Sequence, residues 1–363
     1  MLILTVAFVV SLCLTLLVVR SAKSHARFSN DHDLSGPQKF HVRPVPRIGG
    51  VGIVAGMLAG AWVLWWRDAP LGRDAWVLMA CGLPALAAGL IEDLTKKVSA
   101  KRRLLATALS ALLGVWLLDA VITRTAIPGV DWLLSFPLFA ALLSVFAVAG
   151  VANSLNIIDG FNGLASMCGM LILLSLAYVG FQVDDTLVAL LALAGVGSIL
   201  GFFVWNFPAG LIFLGDGGAY FLGFYIAELA IMLLHRNPTV SPMFPLLLCI
   251  YPVFETVFSI YRRKFIRALP PSMPDGIYLH SLVYRRMMRW AVGNPSAYAM
   301  TRRNSMTSPY LWMLCMLAAI PAVLFWDNTA VLAMLIVLFG VSYVVLYWRI
   351  VRFKAPRWLV FRR

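Results

Sequence analysis

The sequence predicts an all-α, polytopic membrane protein of about 11 transmembrane helices. Composition gives the first reason: 61% of the 363 residues are hydrophobic and 13% are charged, with a mean hydropathy of +0.86. No ordinary water-soluble domain has that balance. The second reason is distribution. Apolar residues come in runs of about 17–21, long enough to cross a hydrocarbon core of about 30 Å as a helix.

The runs justify themselves in chain order. Run 1–19 has the length of a secretory leader but no basic residues ahead of it; Arg20, Lys23 and Arg27 follow instead. That pattern predicts a retained span with its N-terminus outside. Runs 48–66 and 75–91 come next, the latter ending in Glu92-Asp93. Runs 104–123 and 132–152 lead into Asn153-Ser-Leu-Asn156-Ile-Ile-Asp159-Gly-Phe-Asn162-Gly163. Runs 164–182 and 187–205 lead into Phe213-Leu-Gly-Asp216-Gly-Gly218. Runs 218–234 and 243–261 precede a long polar loop, 262–307, containing Asp275 and His280. Runs 308–326 and 330–348 complete one membrane unit, 1–348. The tail 349–363 mixes basic residues with Phe353, Trp358, Leu359 and Phe361, and is expected to lie on anionic lipid.

Charge sets the expected orientation. Loops after the first, third and ninth runs, with the tail, hold 26 of the 30 Lys and Arg; Arg67, Arg73, Arg124 and Arg236 are the remainder. Loops after odd-numbered spans, and the C-terminus, are therefore expected in the cytoplasm. The net charge of +14 reads as topology and anionic headgroups, and no basic stripe interleaved with aromatics argues for nucleic acid. The five cysteines fall inside the runs without ligand spacing, so neither disulfides nor zinc is expected.

The polar insertions carry the functional signal. Asn153 to Gly163 places three amides and a carboxylate between long apolar runs, where such groups persist mainly if they line a polar site. By span parity this cluster, Glu92-Asp93, Asp216 and the His280 loop all fall on one face. Each also has a plainer reading. Glu92-Asp93 could be a solvated helix end paired with Lys96, Lys97, Lys101, Arg102 and Arg103; Gly215 to Gly218 a simple turn; His280 a surface histidine. Carboxylates beside abundant Arg and Lys suit a divalent cation that bridges phosphates, and so phosphoryl transfer from a nucleotide-type donor to a lipid. No Walker loop or Rossmann fingerprint is present. A secondary transporter also has about eleven spans and intramembrane acids, but its polar groups sit near the midplane, often in two related halves. No repeat is visible here.

These motifs resemble the polyprenyl-phosphate sugar-1-phosphate transferases over nearly the whole chain. Asn153-x-x-Asn156-x-x-Asp159-Gly-x-x-Gly163-Leu is the most specific match. Gly215-Asp216-x-Gly218, Glu92-Asp93, His41-Val-Arg-Pro44-Val-Pro46-Arg47-Ile-Gly49-Gly50 and Pro252-Val-Phe-Glu255-Thr256 follow the family's order. There are departures. Glu92 stands where Asp is usual, Asn162 replaces a second Asp, and Ala219 replaces Ser or Thr. The His-rich segment is reduced to Tyr278-Leu-His280-Ser281, unlike the branch that transfers phospho-N-acetylmuramoyl-pentapeptide.

The resemblance implies transfer of a sugar 1-phosphate from a UDP-N-acetylhexosamine to undecaprenyl phosphate in a bacterial inner membrane, N-terminus periplasmic and C-terminus cytoplasmic. It implies initiation of O-antigen or a related envelope polysaccharide. Asp216 is the expected Mg²⁺ ligand (Mn²⁺ being a compatible substitute), with Asp159 as second ligand or its positioner. Glu92 and Asp93 would deprotonate or orient the lipid phosphate. Asn153, Asn156 and Asn162 would orient the nucleotide or metal shell, and Arg47, His280, Arg285 and Arg286 would meet diphosphate oxygens. Glu255 is either functional or a snorkelling acid paired with Arg262 or Arg263. Direct attack and a phospho-enzyme both remain open, as does an inactive homologue. A homodimer is compatible with this reading.

Overall fold

The computed structural model describes residues 1–22, 45–266, 268, 276–288 and 297–352. His41 to Pro44, Asp275 and the tail from Phe353 onward, all singled out above, lie outside the described residues. Helices run α1 Leu2–Arg20, α2 Gly50–Arg67, α3 Ala69–Cys81, α4 Leu83–Thr95, α5 Ala100–Leu117, α6 Val130–Leu134, α7 Pro137–Ile158 and α8 Leu164–Gln182. They continue as α9 Thr186–Asn206, α10 Gly215–Arg236, α11 Met243–Leu248, α12 Ile250–Tyr261, α13 Leu279–Leu282, α14 Ala297–Leu324 and α15 Thr329–Val351. No strand occurs among the described residues.

Every one of the eleven apolar runs coincides with a helix or a broken pair. By length and composition, eight of the described helices suffice to cross a membrane, or nine if α3–α4 is one bent span. The shortfall has physical causes. α5 opens on Lys101, Arg102 and Arg103, and the run 243–261 is broken at Cys249 into α11 and α12. Pro252 has no N–H to offer one turn back, so the ladder stops there. At the α3–α4 junction, Pro84 likewise cannot donate, and the Ala85 N–H turns to Ser110 Oγ of α5 at 3.0 Å. The pair bends by 40°. The expected loop 262–307 is shorter than its sequence range, because α14 begins at Ala297 and brings Asn304, Ser305 and Ser308 onto a helix.

α10 is the axis of the bundle. Every residue from Gly215 to Leu234 is buried, packed against α2, α4, α5, α7 and α8. A helix apolar on all sides is one surrounded by others. Its N-terminus is sunk into two neighbours through glycine pairs. A Cβ on Gly50 of α2 would collide with the Gly218 backbone, and one on Gly89 of α4 would lie 2.5 Å from Gly217. α1 uses the same device, with Gly197 and Gly201 of α9 and Gly52 and Gly56 of α2 against it. Small residues permit this backbone approach.

Gly50→Ala is therefore expected to lower the melting temperature in detergent by several degrees, an overpacking cost of about 1–3 kcal/mol. Gly150→Ala on α7, with nothing within 4 Å of the added Cβ, should leave it unchanged or raise it slightly. Equal melting temperatures for Gly50→Ala and the parent would contradict this packing.

Candidate active site

The N-terminus of α10 organises a cavity of about 330 Å³. Gly215 enters the helix at φ +77°, a conformation natural to glycine, and a Cβ there would strike the Arg47 carbonyl. The chain before it is laid against the entry to α2: the Phe213 N–H donates to Pro46 O at 2.8 Å, Gly49 N–H to Phe213 O at 3.0 Å and Gly50 N–H to Leu214 O at 2.9 Å. This pairing carries Arg47 to the site. Its guanidinium stands 3.7 Å from Asp93 and 3.6 Å from Asp216.

Asp216 is the focus. Asn156 Nδ2 donates to its Oδ1 at 2.8 Å, and Arg103 Nη1 pairs with its Oδ2. Arg103 also lies over the Tyr220 ring, 5.5 Å from its centroid. Asn156 belongs to the last turn of α7, and Asp159 is the C-cap just beyond it; both line the cavity. Glu92 lines it too, while its Oε2 accepts the Val98 N–H at 2.7 Å and ties down the 96–98 turn. Tyr278, His280, Ser281 and Asn304 complete the far wall.

Other expected site residues have different tasks. Asp93 does not line the cavity: it is 1% exposed, and its two oxygens accept the Asp216 and Gly217 N–H groups at 2.9 Å each. It caps α10, as a carboxylate at a helix N-terminus does, and so orients Asp216 instead of meeting substrate. Asn162 is a staple. Its N–H donates to Asn304 Oδ1 at 2.8 Å, its Nδ2 to Ser305 Oγ at 3.1 Å and Pro208 O at 3.3 Å, and its carbonyl accepts from Ser308 Oγ at 2.6 Å. α14 is thereby docked beside the cavity. Asn153 accepts from the Tyr220 hydroxyl at 3.2 Å and lies outside the lining. Arg285 is exposed, and Arg286 caps α15 by donating to the Ile350 and Val351 carbonyls, so neither reaches the cavity. Glu255 turns to the Leu279 N–H, 2.6 Å away.

Arg103 is the functional residue that sequence reasoning missed. A signal existed: Arg103, Thr107, Ser110 and Gly114 form one stripe of α5, and the last three are buried. That phase separates Arg103 from exposed Lys101 and Arg102. Asn304 carried no comparable signal.

The donor set fits a hard cation. Asp216, Asp159 and Asn156 offer oxygens on one wall, the number of carboxylates Mg²⁺ takes when phosphate and water supply the rest. Among the described residues no group of three or more His, Cys, Asp or Glu could hold a metal alone, so a cation would depend on its substrate to complete the shell.

Against this geometry the comparisons are specific. The profile of glycosyl transferase family 4 matches residues 75–234, which hold Glu92, Asp93, Asn156, Asp159 and Asp216. A probable undecaprenyl-phosphate N-acetylglucosaminyl 1-phosphate transferase of Bacillus subtilis is 29% identical over 76% of this chain and 75% of its own. The undecaprenyl-phosphate alpha-N-acetylglucosaminyl 1-phosphate transferase of Thermotoga maritima is 29% identical over 71% of this chain and 74% of its own. A phospho-N-acetylmuramoyl-pentapeptide-transferase of Lactobacillus johnsonii is 31% identical over 62% of this chain and 72% of its own. The chain belongs to the polyprenyl-phosphate sugar-1-phosphate transferases. As a phospho-sugar transferase of this family it is a multi-pass membrane enzyme, and the transporter reading falls away.

One electrostatic consequence is measurable in this transferase. Asp159 is half-buried, and the protein crowded around it strips water from its charged form. That crowding pushes its pKa well above the usual carboxylate range, against the pull of Arg47 and with a further push from Asp93. The folded state thus keeps a proton that the unfolded chain releases near pH 4. Its contribution to stability is complete below that pH and is lost as pH rises through the folded value. In chelator-containing buffer, Asp159→Asn and the parent should melt together near pH 4, with the variant melting higher at pH 7. A parent that matches or exceeds the variant at pH 7 would contradict this.

Proposed function

We propose that the chain transfers a sugar 1-phosphate from a UDP-N-acetylhexosamine to undecaprenyl phosphate, releasing UMP, at the cytoplasmic face of a bacterial inner membrane. The observation that carries this is one cavity wall on which Asp216, Asp159 and Asn156 meet Arg47 and Arg103. Oxygen donors for a divalent cation and guanidinium forks for phosphate are what a diphosphate needs.

In this reading an oxygen of the lipid phosphate attacks the β-phosphorus of the donor. A new P–O bond forms, the bond to the bridging oxygen breaks, and UMP departs with that oxygen's electron pair. Mg²⁺ held by Asp216 and Asp159 would supply charge neutralisation on the diphosphate. Arg47 and Arg103 bind and orient it, and Asn156 holds Asp216 in place. Glu92 is the carboxylate best placed to orient the acceptor phosphate, because Asp93 is enclosed and hydrogen-bonded. A phosphate monoester with a second pKa near 6 is largely ionised at pH 7, so direct attack needs no strong base.

The names of the Bacillus and Thermotoga relatives, and a 276–288 segment whose one histidine is His280, favour an N-acetylglucosamine-type donor over a muramoyl pentapeptide. Initiation of O-antigen or another envelope polysaccharide is the pathway role that fits.

Purified protein with Mg²⁺, undecaprenyl phosphate and a panel of UDP-N-acetylhexosamines should release UMP only when lipid phosphate and cation are both present. Asp216→Asn should cut turnover by about 10²–10³-fold while the protein remains folded. An inactive homologue would give no UMP with any donor, and full activity in Asp216→Asn would remove the metal assignment.

A further inference from the structure

His280 is the histidine on the cavity wall, and its ring is held from several sides. Tyr278 stacks on it with centroids 5.0 Å apart and planes 16° from parallel, and Phe161 meets it edge-on at 5.6 Å. Nε2 faces Gly160, where an added Cβ would lie 3.8 Å away. Nδ1 stands 3.8 Å from Glu255 Oε1, which also accepts the Leu279 N–H at 2.6 Å. Glu255 is 1% exposed and His280 3%. Glu255 lies on α12, outside the cavity lining.

A buried acid in a membrane bundle is costly to keep unless it has a task. Here one carboxylate oxygen addresses both the backbone that begins α13 and the hidden nitrogen of the ring. Which imidazole nitrogen carries the proton is set by what the other nitrogen faces. At 3.8 Å the pair is beyond hydrogen-bond reach, but a carboxylate's negative charge beside a ring nitrogen favours the proton on that nitrogen over a lone pair, so it biases the ring to Nδ1–H and leaves Nε2 as the atom offered to the cavity.

We propose that Glu255 is a positioning residue for sugar-phosphate transfer: it anchors the Leu279 turn and fixes His280 with Nδ1–H inward and Nε2 toward the Asp159–Gly160 edge of the cavity. This deepens the transferase reading and rests on it. It also gives Tyr278 a part. Where the resemblance leads one to expect a further histidine, an aromatic wall holds the single remaining imidazole flat.

The test is a double-variant cycle on the full-length protein in detergent, read as UMP release. Glu255→Gln keeps shape and an acceptor but adds a donor, so it loses the selection. It should lower kcat about 10- to 100-fold, the range for lost outer-shell partners, with the donor KM within about twofold. In a His280→Ala background the same substitution should change kcat by less than about twofold, because a residue that acts through another has nothing left to act on. Independent full losses in both backgrounds would show a merely structural role and overturn the proposal. An unimpaired His280→Ala would do the same. If Glu255→Gln does not fold, Glu255→Asp, charged but one methylene shorter, carries the same cycle.

Selective ¹⁵N-histidine spectra give a readout independent of activity. The His280 signal, assigned by its loss in His280→Ala, should report Nδ1–H in the parent and a tautomer mixture in Glu255→Gln; an identical tautomer in both overturns the proposal. If the parent releases no UMP from any donor, the functional reading fails, and the spectra alone decide whether Glu255 positions His280.

Discussion

The Asp93 carboxylate, accepting the N–H groups of Asp216 and Gly217 in the first turn of α10, is the contact on which the rest of the site depends. A helix N-terminus buried among other helices exposes donors that must be met, and a buried acid needs donors to meet it. Each satisfies the other. Hydrogen bonds to a charged group are worth about 1.5–3 kcal/mol apiece, enough to fix the rotation of α10 about its own axis. The glycine contacts Gly50–Gly218 and Gly89–Gly217 bring the three helices close enough for the bonds to form. Asp216, whose N–H Asp93 holds, then has its carboxylate turned to the cavity.

The opposite wall is assembled by a second economy of polar groups. Asn162 uses its N–H, its carbonyl and its side-chain amide to dock α14, while Asn206 accepts the Gly163 N–H at 2.6 Å and Trp312 donates to the Gly163 carbonyl at 3.0 Å. Gly163 itself sits at φ +73°, the bend that turns α7 into α8. The cavity thus lies between two rigid polar corners, with Arg47 and Arg103 balancing the acids between them. Charges held in place in advance need no reorganisation when a ligand arrives.

The spans and the polar cluster were legible in the sequence because hydrophobic length and the cost of buried amides leave few choices. Each of the eleven runs became a helix or a broken pair, eight or nine of them able to span a membrane by length and composition, and Asp216, Asp159, Asn156, Asn162, Glu92, Arg47 and His280 meet on one cavity. What sequence could not give was the direction of each side chain. Asp93 and Glu92 are adjacent, yet neighbours on a helix point about 100° apart, so one caps α10 and the other lines the cavity. Asn153 belongs to the same motif as Asn156 but bonds to Tyr220 outside the cavity, and Asn162, while lining the cavity, also staples α14. Arg285 and Arg286 look like phosphate ligands by composition, although Arg286 holds the end of α15. Arg103 was visible only through the helical phase of α5.

Hydrogen–deuterium exchange over the peptide spanning 213–220, compared between the parent and Asp93→Asn, tests the clamp most directly. An amide side chain can accept through one oxygen only, so one of the two N–H groups loses its partner. The Asp216 and Gly217 amides should exchange slowly in the parent and at least about tenfold faster in the variant, the equivalent of about 1.4 kcal/mol. Equal protection in both proteins would mean that α10 is held by its packing alone, and that Asp93 has a different task.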